Sequence, residues 1–147
     1  MPVASASPDV AVLAARLRIA VGRLARRMRR EGDSHGLPLS ALSALGSIER
    51  LGPLGLGELA QIERLQRPTI TALATTLEKR ALVAREWDRN DRRRAYLSLT
   101  PRGAQLLRRT REGKAAFLAR RLRALSPDEI DVLDQAAVIL ERLADGA

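Results

Sequence analysis

The sequence contains no cysteine, a single histidine and very few aromatic residues. Without cysteine the chain has no disulfides, no thiolate metal site and no thiol-based oxidant sensing. Aromatic residues make up 2% of the chain while 46% of it is apolar, so aliphatic side chains must build the core. Such a core suits helices, whose apolar stripes pack against one another. No apolar run approaches the roughly 18 residues of a membrane span, so we expect no membrane partner.

The sequence also lacks the patterns that accompany catalysis. We find neither a glycine-rich phosphate loop nor a nucleophile elbow nor a metal-ligand spacing. The only histidine, His35, lies in a glycine-flanked loop, where an isolated histidine is usually solvated. Carboxylates cluster only near the C-terminus, where Asp128, Asp131 and Asp134 fit an exposed acidic face. We therefore predict that the protein is not an enzyme and uses no metal and no cofactor.

Positive charge is the most informative feature that the sequence does have. The formal net charge is +9 and the isoelectric point is near 11.4, which is typical of a protein that binds a polyanion. Seven arginines and no acid lie between Arg16 and Arg30, whereas residues 126–147 contain six acids and one base, Arg142. The C-terminal segment should therefore face away from the polyanion. The basic N-terminal run also fits a solvated helix face or an organelle transit peptide.

Periodicity divides the chain into a disordered lead-in, residues 1–8, and a single domain, residues 9–145. Leu13, Leu17, Val21 and Leu24 recur at helical spacing, and the segment EGDSHGLP, residues 31–38, ends this helix with its glycines and proline. A second helix, a short third helix and a fourth helix follow, then a β-hairpin and two further helices. Thr100-Pro101 and Ser126-Pro127-Asp128-Glu129 are start signals for those last two helices.

The fourth predicted helix has two different faces. Ile70, Leu73, Ala74 and Leu77 form a compact buried face, and the opposite face carries mainly threonines and a terminal lysine. A short helix, a tight turn and a second helix with an uncharged hydroxyl face form the arrangement that enters a major groove. The threonines can donate to phosphates or contact thymine methyl groups, and residues 66 and 67 fall near base edges. An ordinary amphipathic helix explains this pattern equally well.

The predicted hairpin favours the DNA-binding interpretation. Its strands are LVAREW and RAYLSL, and its tip, DRNDRR, presents Arg89, Arg92 and Arg93 between acidic and amide residues. Neighbouring acids can hold arginines in fixed poses by charge-assisted hydrogen bonds. A presented arginine also suits a narrow minor groove, where the negative potential is enhanced. The simpler alternative is an exposed, salt-bridged turn.

These elements together resemble the MarR family of bacterial regulators. The matching pieces are ELA, RPTIT…LE, LV, NDRR and LSLTPRG, all within residues 54–103, and the flanking helices match in number and length. The resemblance implies a mainly α fold with a small β-hairpin wing. A winged helix-turn-helix lobe would occupy about residues 39–100, and the helices of about residues 9–31 and 101–145 would form a helical dimerisation region.

The resemblance implies a sequence-specific transcriptional regulator, a repressor, that binds double-stranded DNA at a palindromic operator as a homodimer. It also implies release by a small-molecule effector, although no residue identifies such a ligand, and a bacterial cytoplasmic, nucleoid-associated location. Asp91 matches the aspartate that orients the wing-tip arginine. The residues expected to bind DNA are Gln66, Arg67, Pro68, Thr69, Thr71, Thr75, Lys79, Arg89, Arg92 and Arg93.

One alternative and three departures from the family pattern stay open. The alternative is a nonspecific architectural DNA-binding protein, or a membrane-surface protein, that uses the basic first helix. Gly55 replaces the usual Ser or Thr cap, which would loosen the start of the third helix. Ala81 replaces a glycine, so we expect a backbone there that avoids positive φ. Trp87 is not a family feature, and it fits either packing or a sugar contact.

Overall fold

The computed structural model describes residues 8–146, which fold into six helices and a three-stranded antiparallel sheet. The predicted lead-in lies outside the described residues except for Pro8. The elements in chain order are α1 (Val10–Glu31), α2 (Leu39–Leu51), β1 (Leu54–Gly55), α3 (Leu56–Glu63), α4 (Arg67–Lys79), β2 (Val83–Trp87), β3 (Ala95–Leu99), α5 (Pro101–Leu122) and α6 (Pro127–Ala144). The predicted fold class, mainly helical with a β-hairpin wing, is confirmed.

The hydrophobic core lies in the middle of the chain. It is formed by α2, α3, α4, the sheet and the first half of α5, and its members are aliphatic, as the scarcity of aromatic residues predicts. The predicted inner face of α4 is buried throughout, including Leu73 and Ala74. The largest fully buried side chains are Leu45, Ile48, Leu59, Ile70, Leu77, Leu82 and Leu97.

The sheet contains one strand that the sequence did not predict. β1 is only two residues long, too short to show an alternating pattern, and it pairs with β3 through Leu54↔Leu97 and Gly55↔Tyr96. The strand order is β1-β3-β2. Gly55 caps α3 without a side chain, but its N–H donates to the carboxylate of Glu58 at 3.3 Å. Strand pairing and this hydrogen bond fix the start of α3 in place of a Ser or Thr cap.

The backbone at the end of α4 differs from the expectation, which was wrong. Ala81 has a positive φ of 55°. Its N–H donates to the carbonyl of Glu78 at 2.9 Å, and the N–H of Leu82 donates to the carbonyl of Leu77 at 3.0 Å, the paired bonds of a Schellman motif. The Thr100 hydroxyl also donates to the carbonyl of Ala81 at 2.6 Å. These bonds hold alanine in a conformation that costs about 1 kcal/mol relative to glycine.

Close packing joins the sheet to α5. A β-carbon added to Gly103 would lie 2.2 Å from the carbonyl oxygen of Leu82, so only glycine fits at this position. The Thr100 side chain caps α5 by accepting from the N–H of Gly103 at 3.0 Å. The start of α5 is therefore fixed against the end of α4 and the beginning of β2.

The terminal helices lie largely outside this core. No residue of α1 (Val10–Glu31) or α6 (Pro127–Ala144) is buried, although both helices carry apolar stripes. Helix α6 begins with the predicted capping box, in which Ser126 and Glu129 exchange hydrogen bonds of 2.9 and 3.3 Å. None of the helices within residues 8–146 is both long enough and apolar enough to cross a membrane.

Candidate nucleic-acid interface

A tight turn sets α4 against α3. Arg64 ends α3 in the left-handed conformation, with φ of 54°, and the N–H of Leu65 donates to the carbonyl of Ala60 at 3.0 Å. Only Leu65 and Gln66 then separate this cap from the first residue of α4. Pro68 lies in the first turn of α4, where backbone N–H groups have no acceptor within the helix, so the missing N–H of proline costs no hydrogen bond. The two helices thus form a helix-turn-helix.

The outer face of α4 carries most of the residues expected to bind DNA. The side chains expected to contact bases or phosphates are all exposed: Gln66, Arg67, Pro68, Thr69, Thr71, Thr75 and Lys79. The opposite face is anchored in the core by Ile70 and Leu77. A rigid helix with short uncharged side chains outward and cations near its two ends can approach a groove closely.

Hydrogen bonds within α4 restrict what the threonines can offer to DNA. The Thr71 hydroxyl donates to the carbonyl of Arg67 at 3.0 Å, and the Thr75 hydroxyl donates to the carbonyl of Thr71 at 3.0 Å. Thr76 makes the same kind of bond to Ala72 at 3.1 Å. With these protons donated inside the helix, the methyl groups and oxygen lone pairs remain for a partner. Contact with thymine methyl groups therefore fits the helix better than donation to phosphates.

The wing is the hairpin of β2 and β3, whose register runs from Val83↔Leu99 to Trp87↔Ala95. Its tip, residues 88–94, exposes all the arginines expected to bind DNA there, Arg89, Arg92 and Arg93. The ion pairs within residues 8–146 are Glu78–Arg85 and Glu49–Arg111, and His35 also contacts the carboxylate of Asp33. None of them involves a tip arginine, so the salt-bridged turn is not what forms.

Asp88 organises this tip, and its position at the start of a turn is the sequence signal that could have singled it out. Its carboxylate accepts from the N–H groups of Asn90 at 2.8 Å and Asp91 at 3.4 Å, and from the hydroxyl of Tyr96 at 3.4 Å. The N–H of Asp88 also donates to the carbonyl of Arg94 at 2.9 Å. The bond from Asn90 is the main reason that the pKa of Asp88 lies below its usual value.

Asp91 contacts the backbone of the tip. Its carboxylate accepts from the N–H of Arg93 at 3.0 Å, and its carbonyl accepts from the N–H of Arg94 at 2.9 Å. Asp91 therefore shapes the turn that carries Arg93, while the guanidinium of Arg93 forms no ion pair within residues 8–146.

The space between the wing and the helices brings two of the expected residues together. A cleft of about 340 Å³ lies between the wing and the starts of α3 and α4, and both Arg67 and Arg93 line it. Arg89 and Arg92 instead border a separate surface hollow beside Trp87 and Asp88. Lys79 lies at the opposite end of α4 from Arg67. Arg85, Trp87 and Arg94 also line the cleft and were not among the expected DNA-binding residues.

Comparison with known proteins agrees with this architecture. The MarR family model matches residues 37–95, which span the helix-turn-helix and most of the wing. An uncharacterized HTH-type transcriptional regulator of Mycobacterium leprae is 35% identical over 90% of this chain and 93% of its own length. The HTH-type transcriptional repressor MdtR of Bacillus subtilis is 32% identical over 78% of this chain and 72% of its own length.

A solved structure of a MarR family protein from Bacillus stearothermophilus superposes with a TM-score of 0.73 at 26% identity, covering 92% of this chain and 95% of that one. The fold, the exposed outer face of α4, which is the recognition helix of this helix-turn-helix, and the arginine-tipped wing define a winged helix-turn-helix transcriptional regulator. The chain belongs to the MarR family, and its members are DNA-binding regulators and not enzymes.

Proposed function

We propose that the chain binds a palindromic operator as a homodimer and represses transcription, and that a small-molecule effector releases it. The observation that carries the proposal is that α4 and the wing tip expose side chains of two different kinds, which suit two different grooves of DNA. The uncharged face of α4 suits base edges in the major groove, and the tip arginines suit the adjacent minor groove. A protein that bound DNA only through charge would have no use for the threonine face.

The terminal helices support the homodimer. Both present large apolar side chains to solvent, and a second copy is the occupant that covers the same stripe on each partner through a two-fold interface. On α1 the exposed apolar side chains include Leu13, Leu17, Ile19, Val21 and Leu24, and on α6 they include Ile130, Leu133, Val138, Ile139, Leu140 and Leu143. A two-fold dimer would in turn place two helix-turn-helix lobes on a palindrome.

Sedimentation equilibrium at micromolar concentration tests the dimer, and we expect the mass of two chains. Leu133→Glu on α6 should shift the mass toward one chain while the circular dichroism spectrum stays helical. Gln135→Glu adds the same negative charge to α6 on the face away from Ile130 and Leu133, and it serves as the control. A stable monomer of the unaltered chain would remove both the dimer and the palindrome.

Repression is supported by the relative named as a repressor, which aligns with 78% of this chain at 32% identity. A dimer that occupies DNA in the bacterial cytoplasm blocks transcription when its operator overlaps a promoter. Footprinting on the DNA flanking the gene tests this proposal, followed by transcription in vitro from the protected promoter. One protected palindrome with reduced transcript is the expected result, and uniform coverage of all DNA would favour the architectural alternative.

A basic cavity supports the proposal of a small-molecule effector. This cavity of about 610 Å³ lies between the α1–α2 loop, the end of α4 and the start of α5, and no carboxylate lines it. Its lining contains His35, Arg80, Arg102, Arg108 and Arg109 over an apolar floor of Leu82 and Leu106. His35 also contacts Asp33, with 3.3 Å between Nδ1 and Oδ2. Arginines above an apolar floor suit a small organic acid.

Benzoate is the probe for this cavity, with inorganic phosphate as the anion that lacks an apolar part. We expect benzoate to release the operator at concentrations where phosphate does not. Arg109→Ala should weaken the effect of benzoate, and Arg142→Ala on α6 should leave it unchanged. Equal release by both anions would mean general competition for DNA-binding charge and would contradict an effector site here.

A further inference from the structure

The wing extends beyond the hydrophobic core. The sheet face that the core covers nearer to α5 is exposed at the end of the wing. In the register of β2 and β3, Arg85 lies opposite Leu97 and Trp87 lies opposite Ala95, so these four side chains share one face of the sheet. Leu97 is fully buried and Ala95 is 8% exposed, whereas Trp87 is 58% exposed. The core therefore ends at Ala95, and Trp87 lines the cleft described above instead of packing inside the protein.

This cleft carries a positive charge that the protein does not neutralise. Arg67, Arg93 and Arg94 line it and form no ion pairs within residues 8–146. The one acid in its lining is Glu58, whose carboxylate accepts from the N–H of Gly55. Three exposed guanidinium groups beside an indole suit a partner that has phosphates and an apolar part in alternation.

Trp87 is connected to the recognition helix through Arg85. The guanidinium of Arg85 lies 6.0 Å from the centre of the Trp87 ring, within reach of a cation–π interaction. The same guanidinium pairs with Glu78 of α4 at 2.5 Å, and both side chains are half-buried. Arg85 is thus a positioning residue that links the indole to α4.

Resting on the proposed function, we propose that this cleft binds the sugar–phosphate strand that separates the two grooves of the operator. A duplex whose major groove holds α4 and whose adjacent minor groove holds the wing tip must pass that strand between them. Arg67 and Arg94 contact its phosphates, and the indole of Trp87 packs on a deoxyribose. Both contacts are independent of base sequence, so they position the protein and add affinity to every duplex alike.

Trp87 is the only tryptophan of the chain, so its fluorescence reports directly on the cleft. Titration with duplex DNA should change the emission and should protect it from quenching by acrylamide, a neutral quencher. An unrelated duplex, used at low salt where it also binds, should protect Trp87 to the same extent as the operator. DNA binding that leaves the emission and the quenching unchanged would overturn the proposal.

Two variants separate the sugar contact from the phosphate contact. Trp87→Leu should weaken operator and unrelated duplex by the same factor, about tenfold for the two copies in a dimer, without changing the salt dependence. Trp87→Phe should restore most of the loss, because its ring can still pack on a sugar. Arg94→Ala should instead reduce the magnitude of the slope of log K against log salt by about 1.8 per dimer, which corresponds to the loss of two phosphate contacts. Arg142→Ala is the control for the loss of one arginine.

Each result bears on one of the two proposals. If Trp87→Leu, folded by circular dichroism, binds both duplexes like the unaltered protein, the cleft does not hold the strand even though the regulator binds DNA. If Trp87→Leu weakens the operator alone, the indole reads bases, and the sequence-independent contact is wrong. If the unaltered protein binds no duplex, the proposed function itself fails. Saturable quenching by benzoate with none by DNA would assign the cleft to a small ligand.

Discussion

At the scale of single residues, different side chains of the wing tip shape the turn and face the solvent: aspartates hold the backbone, and arginines are exposed. Four arginines lie within residues 89–94, and their mutual repulsion opposes a compact turn. The two aspartates of the tip, Asp88 and Asp91, bind backbone N–H groups of that turn. Because the carboxylates hold the backbone, the turn does not depend on any one guanidinium. A change of a tip arginine should therefore remove a contact with DNA without unfolding the wing.

The stability of the wing tip in acid should depend on the protonation of the Asp88 carboxylate. The pKa of Asp88 is lowered in the folded protein, first by the N–H of Asn90, which outweighs the opposing effect of desolvation. A lowered folded-state pKa means that the carboxylate stabilises the turn fully above the unfolded value of about 3.9 and that this stabilisation is lost as the pH falls through the folded value. The amide resonance of Asn90 should keep its folded shift down to about pH 4 and move only below it.

The matched variant for this prediction is Asp88→Asn, which keeps an acceptor oxygen but does not titrate. In that variant the amide of Asn90 should hold its position through the same acid range. A resonance that moves equally in both proteins would show that another group controls the tip.

Arg93 and Thr75 should affect DNA binding in different ways. Minor-groove readout is degenerate, so Arg93→Ala should cost about 1–3 kcal/mol of binding free energy on the operator, with sequence sensitivity confined to A·T-rich flanks. Asp91→Ala should produce a smaller loss, since the arginine survives on a looser turn. Thr75→Ala removes a methyl group from the outer face of α4, and it should relax discrimination among central operator bases while nonspecific affinity stays nearly unchanged.

Titration of each variant against the operator and a scrambled duplex measures both effects. Thermal unfolding is the control, because changes at these exposed positions should alter the free energy of unfolding by less than about 0.5 kcal/mol. If Arg93→Ala binds the operator as the unaltered protein does, the hairpin does not read DNA.

At the scale of elements, the sequence predicts what depends on local periodicity and misses what depends on neighbours distant in the chain. The two faces of α4 follow from the spacing of Ile70, Leu73 and Leu77, and its buried face was predicted in full. β1 was missed because two residues form a strand only when β3 lies beside them. The exposure of Trp87 and its place in the cleft depend on where the core ends, which no local pattern records.

The end of α4 offers a test of backbone strain. Ala81→Gly should stabilise the protein by less than about 1 kcal/mol, the steric cost of a β-carbon at this positive φ, which glycine relieves. The entropy that glycine adds to the unfolded chain offsets part of this gain. Urea unfolding followed by circular dichroism measures the free energy of unfolding.

Ala84→Gly is the control for that change. Ala84 is exposed in β2 and its φ is not positive, so glycine there should only destabilise the protein. If both variants lose stability equally, the left-handed conformation of Ala81 carries no strain that glycine can relieve.

At the scale of the whole molecule, charge and apolar surface are distributed over different parts. The recognition helix and the wing carry cations on their exposed faces, and α6 carries the acidic residues of the C-terminal segment. A dimer formed through α1 and α6 would therefore keep its acidic helices away from the DNA. The net charge of +9, from 26 basic and 17 acidic residues, therefore understates the positive charge of the rest of the chain, because six of the acids lie in the last 22 residues.

The salt dependence of DNA binding should report on this arrangement. A dimer that contacts about eight phosphates should show log K falling against log salt with a slope near −7, from about 0.9 counterions released per contact. Lys79 lies exposed at the end of α4, and a dimer carries two copies, so Lys79→Ala should reduce the magnitude of the slope by about 1.8 and weaken all duplexes similarly.

Arg142→Ala on α6 removes the same charge away from the proposed DNA interface and should leave the slope unchanged. Fluorescence anisotropy of a labelled duplex between 50 and 300 mM salt, which is about the useful range for such proteins, gives all three slopes. Equal changes for Lys79→Ala and Arg142→Ala would mean that net charge alone governs binding, and the α4 face would then lose its special role.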